Sequence, residues 1–378
     1  MQIPVRALNS VRIQAEPGLV MSAGVSTAVF TATPLLLSDV IETFDVDLAV
    51  AGFLSGAQLA GFVLTSFLAG RVVRPSVRLF VLAIALLSLT NGMSAITDSF
   101  QLLVAIRGCC GLALGVLSWL AWAGVFGDPR RMGDIAVIGP IAGLVAAPVM
   151  GVLVDAISYR SVYGLLAVAS LVPLLRIPAF GGTEQRPMTK RARGGSPQAY
   201  ALVGALGLLT LGGSAVFVFS GVIAREHVGM TATGFSLVVA GNAAAGIPSA
   251  RWNGRRPWPG LWIVMTGVSA LAITIVTNQV AFALFLALWG FAFWFGVPAA
   301  YQTLAERSRY PAERAGDAQA VMAIGRIVGP VIGGIAAGTG SFVALGIMGG
   351  GVMVLGGLVL LVIEQMPRSP EATPTPTP

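Results

Sequence analysis

Arg107, Gly111 and Gly115 stand four residues apart within the apolar run LLVAIRGCCGLALGVL. On a helix that spacing puts the guanidinium and both glycines on one stripe. Glycines so spaced let a neighbouring backbone approach closely, and a buried arginine must face protein or water rather than lipid. The chemistry this offers is recognition: Arg107 holds a substrate or organises a proton-linked network. The alternative is that it snorkels from a helix end to the interface; its place about two turns below the expected boundary favours the interior. Arg326 is the second charge inside an apolar run. Carboxylates stand only at the mouths of such runs, as Asp39, Glu42, Asp98, Asp134, Asp155 and Glu226, beside the single His227. One histidine excludes most catalytic triads and metal clusters, and no glycine-rich loop is followed by a lysine to cradle phosphates. No catalytic residue, metal or cofactor is expected, and ATP is not the energy source.

Aromatic and neutral polar side chains complete the candidate set. Trp119 and Trp122 follow Arg107 on the same run, and Trp289, Phe291 and Trp294 share a later one. Aromatic faces among few charges suit an amphipathic organic substrate, with an interfacial belt as the alternative, strongest for Trp119 and Trp122. Gln58, Asn91, Asn242 and Gln302 are candidate hydrogen-bonding groups, each equally able to join helices. The adjacent Cys109 and Cys110 support neither a disulfide framework nor a zinc site.

These side chains need a scaffold, and the composition names its solvent. Of 378 residues, 56% are hydrophobic and 10% charged, against roughly 45–50% and 25% in soluble domains. Charge that sparse cannot cover a soluble surface of this size. Apolar runs long enough for membrane helices are expected at about 18–38, 47–69, 79–97, 100–123, 135–154, 158–177, 199–222, 232–250, 259–279, 280–303, 316–337 and 341–363. The first is too long for the core of a cleavable signal, so it is read as retained. Thr277-Asn278-Gln279 is taken as the break between the ninth and tenth spans, because one helix through it would overshoot the bilayer.

With a cytoplasmic N-terminus, nineteen of the 23 Lys and Arg fall in inside segments, only Arg160 and Arg225 fall outside, and Arg107 and Arg326 lie within spans. The positive-inside bias then places both termini in the cytoplasm and the chain in the cytoplasmic (plasma or inner) membrane. The expected organisation is an N-terminal half over 1–177, a cytoplasmic linker over 178–198, a C-terminal half over 199–364 and a disordered tail over 365–378, whose PTPTPTP end cannot be helical. Arg74-Pro75 recurs as Arg256-Pro257, and Pro148-x-x-Gly151 recurs as Pro330-x-x-Gly333, at one shared offset of 182. Equal offsets at equivalent spans favour a duplicated bundle whose halves rock about a central site.

The Arg107-x-x-x-Gly111-x-x-x-Gly115 pattern resembles the fourth-helix motif of the major facilitator superfamily. SFLAGRVVRP resembles that family's loop signature G-x-L-A-D-R-x-G-R-R, through Leu68, Ala69, Arg71 and Arg74. Ser66 and Val73 replace glycines there, and Gly70 replaces the aspartate that in the family pairs across the cytoplasmic gate. APVMGVLVDAISYRSVYG resembles the motif of export-type members, through Pro148, Gly151 and Tyr159-Arg160, with Ala147 where a glycine is usual. GRIVGPVIGG is a fuller version in the second half.

The resemblance implies an all-α membrane protein with twelve transmembrane helices in two six-helix halves, working by alternating access, and it puts the aromatics of the fourth and tenth spans on cavity-lining helices. The expected function is proton-coupled export of a small organic molecule. A facilitator or symporter for a sugar or organic anion is the second reading, favoured by the two buried arginines and the lack of embedded carboxylates. A non-transporting scaffold or receptor is the third. Substrate or coupling roles fall to Arg107, Trp289, Trp294, Asn242, Gln58 and Gln302. Motif and gating roles fall to Gly111, Gly115, Arg71, Arg74, Asp134, Pro148, Gly151, Arg326 and Pro330. Expected partners are the small organic substrate, protons and the lipid bilayer, with no nucleic acid, and the protein is expected to be a monomer.

Overall fold

The computed structural model describes residues 13–125, 128–180, 196–250, 252, 256–308 and 310–367. Twelve helices follow one another: α1 (Pro17–Phe44), α2 (Leu48–Val72), α3 (Val77–Ile96), α4 (Phe100–Ala123), α5 (Pro129–Ala156), α6 (Tyr159–Ala169), α7 (Pro197–Val222), α8 (Ala232–Ala250), α9 (Pro259–Ile273), α10 (Gln279–Glu306), α11 (Pro311–Ala337) and α12 (Phe342–Gln365). Nine stretches of the described helices are long and apolar enough to cross a membrane by length and composition, and α9 is a shorter apolar helix. Large hydrophobic side chains such as Leu82, Leu89, Val145, Val280 and Leu284 are exposed on the outside of the bundle. In water that would be costly; in hydrocarbon it is the expected surface.

Turn chemistry sets the boundaries. Asn278 caps α10, its side-chain oxygen accepting from the Val280 and Ala281 amides at 2.9 and 3.0 Å, so the ninth and tenth spans part at the expected place. Ser76, Ser99 and Ser196 cap α3, α4 and α7 in the same way. The sixth span is shorter than the sequence suggests. The α-helix ends at Ala169, and a 3₁₀ turn over Val172–Arg176 continues it, because Pro173 has no amide to extend the ladder. At the other extreme α7 runs on through a π-helical turn, Ile223–His227.

Helix α1 packs on α7 across the halves, where Gly221 lies against the Pro34 carbonyl, and two further pairs that are equivalent by chain order also join them. Helix α5 packs on α8, and α2 packs on α11. A Cβ on Gly151 would overlap Ser236, and a Cβ on Gly52 would overlap the Pro330 carbonyl oxygen. Pro148 and Pro330 both lie inside their helices, about two turns from the ends at Ala156 and Ala337. Gly151 and Pro330 thus sit at two of the seams on which the halves meet, whereas Gly333 packs on Ala215 of α7 within its own half.

Candidate functional site

The first-half charge is fully enclosed. Arg107 on α4 is 1% exposed; its Nε and one terminal nitrogen donate to Gln58 Oε1 on α2 at 3.0 and 2.8 Å, and the other donates to Asn91 Oδ1 on α3 at 2.9 Å. Asn91 donates in turn to Ser170 Oγ at 3.3 Å, and the guanidinium lies 5.0 Å from the Tyr163 ring centroid. Four helices therefore converge on one cation, and every polar partner is neutral. The glycine stripe makes this possible: a Cβ on Gly111 would overlap the Gln58 carbonyl, and one on Gly115 would overlap Thr65 and the Phe62 carbonyl. Close approach of α2 and α4 brings the Gln58 amide within reach of Arg107.

The second half holds a cavity of about 260 Å³ between α7, α8, α10 and α11. Phe217, Trp289, Phe293 and Trp294 form its apolar walls, with Thr210, Ser214, Asn242 and Arg326 as its polar groups. Phe217 meets Trp289 edge-on, ring centroids 5.8 Å apart. Gly246 lies against the Trp294 indole. The hydroxyl donors are already used: Thr210 bonds the Leu206 and Gly207 carbonyls and Ser214 bonds the Thr210 carbonyl at 2.7 Å, while one hydrogen of the Asn242 amide bonds the Leu286 carbonyl at 2.6 Å. Arg326 makes no hydrogen bond or ion pair with any described residue.

At the end away from the chain termini the halves are tied by polar contacts. Asp155, near the end of α5, accepts from the Ala232 and Thr233 amides of α8 at 3.1 and 2.7 Å, which places a carboxylate on the positive end of a helix in the other half. Arg225 pairs with Asp39 of α1 at 2.7 Å. In sequence Asp155 and Asp39 are helix-mouth charges; their cross-half pairing exists only in the fold.

Several expected site residues lie elsewhere. Arg107 and Gln58, read as substrate groups, form the enclosed network and do not line the cavity, whereas Arg326, read as a motif residue, does. Trp289, Trp294 and Asn242 line the cavity. Gln302 is exposed and bonds Glu306 one turn along its own helix at 3.2 Å; it lies about two turns beyond Trp294 toward the end of α10 and outside the cavity lining. Asp134, expected near a gate, accepts from the Gln14 and Ala15 amides at 2.6 and 3.0 Å and ties the chain ahead of α1 to α5. Arg74 is exposed, while its counterpart Arg256 bonds the Trp294 carbonyl at 2.9 Å. The Arg71 side chain lies outside the described residues. Phe217, Phe293, Thr210 and Ser214 were missed, since apolar and hydroxyl residues in a membrane span carry no signal of which face meets a cavity. Tyr163 and Ser170 were missed for the same reason.

Twelve helices among the described residues, nine stretches of them apolar enough to span a membrane, with two equivalent seams and a partly polar cavity within one half, define a polytopic helical bundle. The match to the Major Facilitator Superfamily model extends over residues 19–326, and the chain belongs to that family. Among solved structures it is similar to a bacterial homologue of the human lysosomal transporter Spinster, in an inward-facing and occupied conformation (13% identity, 96% of each chain, TM-score 0.69). It is also similar to the nucleoside transporter NupG (14% identity, 93% of this chain and 99% of that one, TM-score 0.68). A third is the peptide transporter POT in complex with sulfate (12% identity, 92% and 93%, TM-score 0.74). At such identities the likeness is one of fold. No curated protein matches the chain in sequence.

Proposed function

We propose that the protein moves a small organic molecule across the cytoplasmic membrane by alternating access, with the α7–α8–α10–α11 cavity as its binding site. The observation that carries this reading is the cavity itself: about 260 Å³ walled by four aromatic side chains with a few polar groups, the usual make-up of a small-molecule site. Seams at Gly151 and Gly52 offer surfaces on which the halves can rock, and the Asp155 and Asp39 contacts tie the halves together at one end of the bundle. The export-type motif residues Pro148, Gly151 and Pro330 support outward, proton-exchanging efflux by an antiporter. The carboxylates open to protonation in such a cycle are the helix-mouth groups. A second reading, a facilitator or symporter for an organic anion, is favoured by the unpaired Arg326 and by the absence of a carboxylate among the described lining residues.

Purified protein in liposomes tests both. Accumulation of an organic solute only when a pH gradient is imposed supports exchange with protons. Equal flux with and without the gradient supports the facilitator. No flux of any solute in either condition removes transport altogether.

A further inference from the structure

We infer that the cavity selects small aromatic anions, with Arg326 as the group that binds the carboxylate and the Phe217–Trp289 wall as the seat of the ring. This rests on the cavity being the binding site. The hydroxyls of Thr210 and Ser214 donate to backbone carbonyls, and one hydrogen of the Asn242 amide goes to Leu286, which leaves the second Asn242 hydrogen and the Trp289 and Trp294 indole N–H groups as neutral donors beside one formal charge. The guanidinium of Arg326 is the charged donor, and no described residue answers it with an acceptor. The neighbouring Tyr301 hydroxyl directs its hydrogen to Met322 Sδ at 3.2 Å. An unpaired guanidinium among apolar walls is unstable until an anion arrives, and its planar fork matches the two oxygens of a carboxylate.

Shape and charge narrow the ligand further. Phe217 and Trp289 meet edge-on at 5.8 Å, and Phe293 and Trp294 meet edge-on at 5.9 Å, so the pocket presents flat faces and edges suited to a planar ring. A volume of about 260 Å³ is at the lower end for organic ligands, which limits the body to one or two fused rings. The same positive charge repels an organic cation of the same size, so a cationic solute is excluded.

Three probes with one ring system test the inference on the full chain in nanodiscs: 1-naphthoate, neutral 1-naphthylmethanol and cationic 1-naphthylmethylamine, with binding read by equilibrium dialysis. Naphthoate should bind at least tenfold more tightly than the alcohol, and the amine more weakly than either. Arg326→Gln should erase the preference for naphthoate while leaving the alcohol unchanged, and Arg326→Lys should restore part of it. Should the Gln variant fail to fold, the wild-type ranking and the Lys variant still decide. Equal binding of all three probes, lost together in Trp289→Ala, would keep the cavity as the site and overturn the anion inference. Binding of none of them would remove both.

Discussion

The guanidinium of Arg107 gives two of its hydrogen bonds to a single oxygen, Gln58 Oε1, at 3.0 and 2.8 Å. That oxygen belongs to α2, and Arg107 belongs to α4, so the charge and its acceptor come together only while the two helices stay in contact at Gly111. The arginine and the glycine stripe are one device: the glycine sets the spacing and the fork holds it.

Gln58→Leu should therefore destabilise the first half more than a buried neutral residue would. It leaves a buried cation with Asn91 as its remaining acceptor, and a hydrogen bond to a charged group contributes about 1.5–3 kcal/mol. A fall of several degrees in the apparent melting temperature of detergent-purified protein is expected. Arg107→Lys should also fall and should lose much of its transport, because an ammonium cannot span Gln58 and Asn91 in one plane. Wild-type melting of both variants would show that the network does not hold the helices.

Gly111→Ala acts on the same contact from the other side. The added methyl meets the Gln58 carbonyl and the Phe62 amide, both backbone, which cannot swing aside. Overpacking of that kind costs about 1–3 kcal/mol. Gly164, with nothing near its added Cβ, supplies the control: Gly164→Ala should melt as the parent does.

The polar ties between the halves predict a conformational shift. Asp155→Asn removes the negative charge from the α8 N-terminus and one of the two acceptors for the Ala232 and Thr233 amides. Arg225→Gln removes the ion pair to Asp39. Together they should widen the distance between spin labels at Glu42→Cys and Thr277→Cys, with Cys109 and Cys110 replaced by serine. An unchanged distance distribution would mean that apolar packing alone closes that end.

The order of the helices was legible because it rests on counting. Long apolar runs are a one-dimensional property, and Asn278 marked the break between the ninth and tenth spans by its capping chemistry. The repeat at Pro148 and Pro330 was equally visible, since a proline inside a helix is a backbone event that sequence records directly. The cavity was legible only in part. Trp289 and Trp294 announce themselves by size, but most residues of a membrane helix are apolar whether they face lipid or protein, so the pattern that separates core from surface in water is missing. Arg107 and Arg326 look alike in sequence for that reason: both are charges in apolar runs, and only neighbours from other helices decide which is enclosed and which faces space. Reporter fusions in the 178–197 loop and at the C-terminus should both score cytoplasmic; an external score at either would break the inside count.

The last prediction concerns the size of the cavity. Gly246 lies one helical turn beyond Asn242 on α8 and touches the Trp294 indole, so the absence of a side chain there is what lets the ring lie flat against that helix. In Gly246→Ala the new methyl must move the ring off α8, and the space the ring borders is the cavity. The backbone of α10 is held nearby, since Arg256 bonds the Trp294 carbonyl at 2.9 Å, so the adjustment falls on the side chain rather than on the helix. The variant should bind the one-ring benzoate with little change while losing about tenfold for the two-ring 1-naphthoate, the equivalent of about 1.4 kcal/mol. Gly246→Ala/Trp294→Phe, with a smaller ring, should recover the larger ligand. If the single variant weakens both ligands equally, the indole does not set the size limit; if neither ligand is affected, Trp294 does not border the bound molecule at all.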